Sequence, residues 1–281
     1  MRKTSLLILL VTATVTLVIA QPAETPAYNW SKTGPLQVAR QGACAAALKD
    51  GRILVAGGQD ANGALRSVEI YQQDGSFAPA RDMLRARGGH ACTSLSDGRI
   101  LVAGGLGDGP AVQAETYDPV LDIWTAAGNG IERWNQTATM LPDGRVLLAG
   151  GETADGPSAL LEWFNPATNR IRPLPGTLSV ARTLHASAVL PDGTVLVSGG
   201  WNAQNLLDSM ELIRLDGSVA SAAAALPAAR AGHTATTLDN GCQDRRSAPF
   251  ARLSPPRVHS PSACSMGEMR ITRRRPLPRC R

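Results

Sequence analysis

Aromatic residues are scarce in this 281-residue sequence, with only 5 Trp, 3 Tyr and 3 Phe. Its core must therefore be built mainly from small aliphatic side chains. Helical periodicity is missing throughout, and the alanine-rich run 220–229 is interrupted by Pro227, so no helical fold is expected. After a single apolar run near the start no second one follows, which leaves the mature chain without a bilayer-spanning segment. The five cysteines, Cys44, Cys92, Cys242, Cys264 and Cys280, are odd in number and show no Cys-x-x-Cys spacing. That argues against a disulfide framework and against a zinc site. Cys44 and Cys92 stand among small residues and are expected as buried thiols.

What is present begins with an address. Arg2 and Lys3 precede the apolar run Leu6 to Ile19, and Ala20 ends it with a small residue. This is the three-part pattern of a secretory signal peptide over residues 1–20, so the protein is expected to be secreted or periplasmic. The formal net charge of +5 is unevenly spread. Residues 21–241 hold 16 Lys/Arg against 21 Asp/Glu, whereas residues 242–281 hold 10 Arg against Asp244 and Glu268. The basic excess is thus local to one stretch, and nucleic-acid binding by the body is not expected.

Internal repetition carries most of the information. Asp-Gly pairs recur at Asp50-Gly51, Asp97-Gly98, Asp143-Gly144 and Asp192-Gly193, with Asn240-Gly241 as a fifth member. Each of the first four leads into a β-branched run ending in two glycines: 52–58 (RILVAGG), 99–105 (RILVAGG), 145–151 (RVLLAGG) and 194–200 (TVLVSGG). Ahead of each turn stands an arginine: Arg40, Arg87, Arg133, Arg182 and Arg230. After each double glycine comes a glutamate with an apolar residue two places on, as in Glu69 with Tyr71, Glu115 with Tyr117, Glu162 with Phe164 and Glu211 with Ile213. One further apolar residue closes each unit: Phe77, Trp124, Ile171 or Val219.

Each unit reads as four short strands. Asp-Gly suits a tight hairpin in which both central residues take positive φ. The strand after it is apolar enough to be covered on both faces, and the double glycine lets the backbone approach its neighbour without a side-chain clash. A four-stranded unit with a period near fifty is what a propeller blade requires. The double glycine, the segment Glu115-Thr-Tyr-Asp-Pro119 and then Trp124 resemble the kelch family. The resemblance implies an all-β kelch-type β-propeller over 21–241, with complete blades at about 40–77, 87–124, 133–171 and 182–219 and an unfinished fifth at 230–241. Asn29-Trp30 falls where a lone fourth strand would close the ring.

After Gly241 the pattern stops, and one glycine remains in the last 40 residues beside six prolines and ten arginines. Residues 242–281 read as a disordered Arg/Pro-rich tail or as the product of a shifted reading frame. The shift is favoured, since the break falls inside a motif and would leave strand edges exposed.

Repetition also weighs against catalysis by the column residues. The arginine and glutamate columns lie near one end of their strands and are expected as structural ion pairs. His90, His185 and His233 share one column and are expected as repeat-signature residues bonded to a neighbouring loop, not as metal ligands. Two tryptophans depart from the repeat: Trp134, just after Arg133, and Trp201, just after Gly200. With Arg133 and Glu152 they are the candidate ligand-binding residues, placed at the end of the blades opposite the Asp-Gly turns. The reading is an exported module that binds a protein or carbohydrate ligand, with no catalytic set, cofactor or metal expected and no stable membrane insertion after signal cleavage. The alternatives are a galactose-oxidase-like or sialic-acid-epimerase-like enzyme, or a truncated, non-functional product. Cleavage is predicted after Ala20, so mass spectrometry of exported protein should find a chain that begins at Gln21.

Overall fold

A computed structural model describes residues 32–107, 114–237 and the short strand 252–253. The chain divides into two units, 1–33 and 34–281. In the first only Lys32 and Thr33 are described, and neither lies in a strand. The signal peptide, the proposed strand at Asn29-Trp30, Asn240-Gly241 and most of the tail lie outside the described residues.

The second unit contains four four-stranded antiparallel sheets, each with its strands in sequence order from one edge to the other. Blade one comprises Cys44–Ala47, Ile53–Ala56, Val68–Tyr71 and Phe77–Ala80. Blade two comprises Ala91–Ser94, Ile100–Ala103, Ala114–Asp118 and Ile123–Ala127. Blade three comprises Thr137–Met140, Val146–Ala149, Leu161–Asn165 and Arg170–Pro173. Blade four comprises Ala186–Val189, Val195–Ser198, Met210–Ile213 and Val219–Ser221. Because the strands alternate in direction, the Asp-Gly turns and the third-to-fourth-strand turns share one end of each blade, here the turn end. The segment leading into the first strand and the loop leaving the second share the other, the rim.

The Asp-Gly turns differ from the tight two-residue form. Only the glycines take positive φ, for example Gly51 at 85° and Gly98 at 99°. Leu48 donates its N–H to the Arg52 carbonyl at 2.8 Å, and Gly51 donates to Leu48 at 3.1 Å. This is a three-residue loop with glycine in the left-handed position. The aspartate serves as an acceptor instead: Asp50 Oδ1 takes the Arg52 N–H at 3.1 Å and Oδ2 takes Arg52 Nε–H at 2.8 Å.

Apolar content in the second strands follows from their position between two neighbours. In blade two, Ile100 and Val102 pack with Leu54 and Ile70 of blade one, whereas Leu101 and Ala103 pack with Val146, Leu148 and Phe164 of blade three. Leu147 and Ala149 of blade three then meet Val195, Val197 and Ile213 of blade four. Alternation along one strand therefore serves two interfaces, so a polar side chain at any position of the ILVA stretch needs a partner or is buried unmatched. Blade one has no described blade on its outer side, and there Ile53 stays 37% exposed.

The double glycine has a divided role. A Cβ on Gly150 would lie 2.6 Å from His185 Cε1 and 2.7 Å from the Arg182 carbonyl of the next blade. One on Gly151 would lie 2.7 Å from the Trp134 carbonyl within its own blade. The first glycine admits the neighbouring blade and the second admits the blade's own first strand. Both also need positive φ, at 56° and 97°, which a side chain disfavours.

Cys44 and Cys92 correct the expectation of free buried thiols. They form a disulfide, with Cα atoms 5.9 Å apart. Their separation of 48 residues is close to one repeat, so the innermost strands of adjacent blades bring them side by side. Spacing rules for local cysteine motifs do not register that proximity, because it depends on the stacking of repeats. Further along these strands Ser94 Oγ donates to the Ala47 carbonyl at 2.6 Å, and Thr139 Oγ1 lies 2.6 Å from Ser187 Oγ. Beyond blade four, Ala235–Thr236 pairs antiparallel with Arg252–Leu253, so a piece of the tail does enter a strand pair.

By closing a loop of about one repeat, the disulfide should stabilise the fold by about 2–4 kcal/mol. Thermal melts of Cys44→Ala/Cys92→Ala should show that loss, and added reductant should lower the melting temperature of the parent protein but not of the variant.

Candidate functional site

The charged residues singled out by the repeat form a clamp inside each blade. Arg182 donates from Nη1 to the Gly199 carbonyl at 2.8 Å and from Nη2 to Glu211 Oε1 at 2.7 Å. Glu211 in turn accepts the backbone N–H groups of Ser179 at 2.6 Å and Val180 at 3.3 Å. The ion pair and the arginine's bond to the first glycine recur with Arg40 and Glu69, with Arg87 and Glu115, and with Arg133 and Glu162, the last glutamate taking one backbone N–H in place of two. One carboxylate thereby fixes the segment that leads into the first strand, and one guanidinium ties that segment to the first glycine. These arginines are almost completely removed from solvent; Arg87 and Arg182 are 0% exposed.

Burial acts on each clamp against its hydrogen bonds. For Glu69, burial raises the carboxyl, but the N–H groups of Gln37 and Val38 and the Arg40 guanidinium outweigh it and hold the group below its ordinary range. For Glu162, burial prevails over Arg133 and the single N–H of Ile131, and the carboxyl is pushed up. Heavier burial comes first in that difference, since Glu162 lies deeper in the protein than Glu69, and one backbone donor against two adds to it. Arg87, Arg133 and Arg182 are lowered by burial, with their glutamates opposing it.

The histidine column lies at the blade junctions. His185 Nε2 is 3.1 Å from Thr137 Oγ1 of the preceding blade, and His233 Nε2 is 3.1 Å from Ser198 Oγ. Gln136 fills the column in blade three and donates to the Ala103 carbonyl at 2.9 Å. His90 packs against Gly57. Each imidazole serves a different junction, and among the described residues no three His, Cys, Asp or Glu side chains gather as metal ligands would.

At the rim, backbone hydrogen bonds run alternately within and between blades. Trp134 and Glu152 exchange N–H···O bonds of 2.9 and 2.8 Å, and Gly151 N–H reaches the Arg182 carbonyl of blade four at 2.9 Å. Thr183 and Trp201 then exchange bonds of 3.0 and 2.9 Å. Of the four candidate residues, Trp134 and Glu152 are therefore direct backbone partners, and Trp201 belongs to the next blade along the same rim. All three are half-buried. Arg133 is not at the surface: its side chain is 1% exposed and committed to Glu162, and only its carbonyl takes part in the rim, accepting from Gly105 N–H at 2.9 Å.

Sequence reasoning missed the leucines. Leu106 is 48%, Leu184 42% and Leu206 50% exposed. Leu106 is bridged to Gly88, and Leu206 to Trp201. Leu184 shares its column with Gly42, Gly89, Asn135 and Gly232, all at positive φ, and itself sits at φ 53°. A leucine where three counterparts are glycine was the available signal.

A family model described as the kelch motif matches residues 42–83. One similar solved structure, titled "Structure of YjhT", shares 15% identity with this chain at a TM-score of 0.59, and the match covers 71% of this chain and 75% of that one. No curated protein sequence matches the chain. The motif and the four-stranded sheets together make this a kelch-type β-propeller fold.

Burial, aided by the charge of Arg87, lowers His90 to about 3. His185 is likewise lowered to about 3, by burial and then by Arg182, Arg133 and His233. Between pH 6.5 and 3 the unfolded chain binds protons at these residues that the folded chain does not. Stability is therefore full above about pH 6.5 and lost as pH falls. Urea titrations at pH 7 and pH 5 should differ by on the order of 1–2 kcal/mol for each of these two histidines. His90→Gln/His185→Gln, which copies the amide found at Gln136, should flatten that dependence.

Proposed function

We propose that this kelch-type propeller is an exported binding module that holds a protein partner on its rim. A propeller of this kind is a scaffold for interaction, because its polar repeat residues are consumed in the clamps and junctions and its loops are left free to vary. The observation that carries the reading is Leu184. An apolar side chain is kept exposed there on a left-handed backbone, a combination that costs stability twice and is retained where surface chemistry needs it. Leu106, Trp134, Trp201 and Leu206 extend the apolar surface along blades two to four. Aromatic and aliphatic anchors on a rigid backbone suit a protein partner, and Glu152 supplies a charge at its centre.

Export is supported by the leader pattern of residues 1–20 and by the Cys44–Cys92 disulfide, which suits an oxidising compartment. The protein accordingly works in the periplasm or outside the cell. Leu184→Gly should raise the melting temperature, since a left-handed leucine costs about 1 kcal/mol or more, and should weaken capture of the partner from periplasmic or secreted protein. Trp134→Ala/Trp201→Ala should abolish capture with little change in melting temperature. Full capture by both variants would remove the rim from consideration.

A further inference from the structure

The grooves on the turn end are separate from the rim, and one of them is built unlike the rest. It is an open groove of about 540 Å³ lined by Arg145, Trp163, Asn165, Thr168, Arg170 and Arg172. All six come from blade three. Register places Trp163 opposite Arg172 and Asn165 opposite Arg170 across the third and fourth strands. Leu147 of the second strand lies opposite Trp163, and Arg145 is two residues before it. Side chains two apart on a strand, or directly paired across strands, share a face. The three arginines therefore present their heads on one face of one sheet.

Blade three departs from the repeat at three of these positions together. Where it has Trp163 paired with Arg172, blade one pairs Ile70 with Ala78, blade two Thr116 with Thr125, and blade four Leu212 with Ala220. Next to the core pair Phe164 and Ile171 stands Arg170, and the equivalent neighbours of Phe77, Trp124 and Val219 are Ser76, Ile123 and Ser218. Structural columns elsewhere in the chain are repeated, so a joint departure confined to one groove marks a local purpose.

Arg145 is held in place from three sides. Asp143 Oδ2 accepts from its Nε at 2.8 Å, the Leu215 carbonyl accepts from Nη2 at 3.0 Å, and the guanidinium carbon lies 4.5 Å from the Trp163 ring centroid. Among the described residues no hydrogen bond engages Nη1. Arg170 and Arg172 are exposed, and neither side chain has an ion pair or hydrogen bond among the described residues. Asp143 neutralises Arg145 and leaves the other two cations uncompensated on adjacent same-face positions, where they repel one another. Asn165 Oδ1 is occupied by the Ala167 N–H at 2.9 Å, which leaves its amide Nδ2 as a donor.

We propose that this groove is a binding site for a phosphate group. The two open guanidinium forks of Arg170 and Arg172, with Arg145 Nη1 and an amide, offer more donors than the two oxygens of a carboxylate can accept, whereas a phosphate carries three or more acceptor oxygens and up to two charges. A dianion also relieves the repulsion between Arg170 and Arg172. The lining contains no aliphatic side chain that would receive the residues of a peptide. The site lies at the opposite end of the blades from the proposed partner surface and does not rest on it.

Isothermal titration of the full chain with inorganic phosphate and with glycerol phosphate, at low and moderate salt, tests the proposal. Binding should weaken with salt and by about tenfold or more in Arg170→Gln/Arg172→Gln. Because both side chains are exposed and unpaired, that variant should keep the parent melting temperature. Vesicles of phosphatidylglycerol against phosphatidylcholine distinguish the source. Tighter binding to phosphatidylglycerol than to free phosphate assigns a lipid headgroup, and binding of the free anions alone assigns a small molecule. Acetate or a polyglutamate peptide binding as well as phosphate, or phosphate binding unaffected by the double substitution, would overturn the proposal. The rim variants report on the other surface, so failure of one reading leaves the other standing.

Discussion

The buried arginine–glutamate clamp is the constraint on which the rest of each blade depends. A blade made only of paired strands would leave the segment before its first strand without a fixed path. Glu69, Glu115, Glu162 and Glu211 collect backbone N–H groups from that segment, and the facing arginines tie it to the double glycine. Burying such a pair carries a large desolvation penalty, so its net contribution to stability is small. Removing one partner would strand the other charge, at a cost of about 3–5 kcal/mol. The clamp is best understood as a device for specificity, setting where the chain crosses from one blade to the next.

Junctions between blades build on that placement. Once the arginine's carbonyl is positioned, it accepts the N–H of the previous blade's second glycine, as Arg87 does from Gly58 at 2.9 Å. The residue three further on, histidine or glutamine, then fills the space over the first glycine. Glycine is required at both points because the backbones approach too closely for a Cβ. Small residues on the innermost strands allow the same closeness, and between blades one and two it becomes a covalent bond.

Since the repeat columns are spent on structure, function is expected where the columns are broken. The breaks fall at both ends of blade three. Trp134 at the rim and Trp163 with Arg170 and Arg172 at the turn end stand on the same rigid sheet, and Trp201 with Leu184 continues the rim on blade four. The open grooves at the turn end meet through shared lining residues, Asp97 and Arg99 in one case and Arg145 and Asn165 in the other. The aspartates in that row neutralise their own arginines, and among the described residues net positive charge remains at the groove of blade three.

Much of the fold was legible because a repeat reports the same physical demand several times. Asp-Gly, the apolar run, the double glycine and the Arg and Glu columns each recur at a constant offset, so the four-stranded units followed from the residues alone. The ion pairing of Arg40 with Glu69, and of its three counterparts, was foreseeable from column positions. Several features were not legible. The turn geometry depends on hydrogen bonds that Leu48 and Gly51 make, and these distinguish two loop types with the same dipeptide. The disulfide depends on how far blade one is rotated against blade two. The withdrawal of Arg133 from the surface depends on which side of the strand its guanidinium folds, and the groove of blade three depends on register between its third and fourth strands. The sequence by itself determined the repeating unit, because hydrogen bonding and burial within a blade are set by near neighbours in the chain. Only the tertiary structure decided which departures from the repeat meet one another, because residues about fifty positions apart come together through the packing of whole sheets.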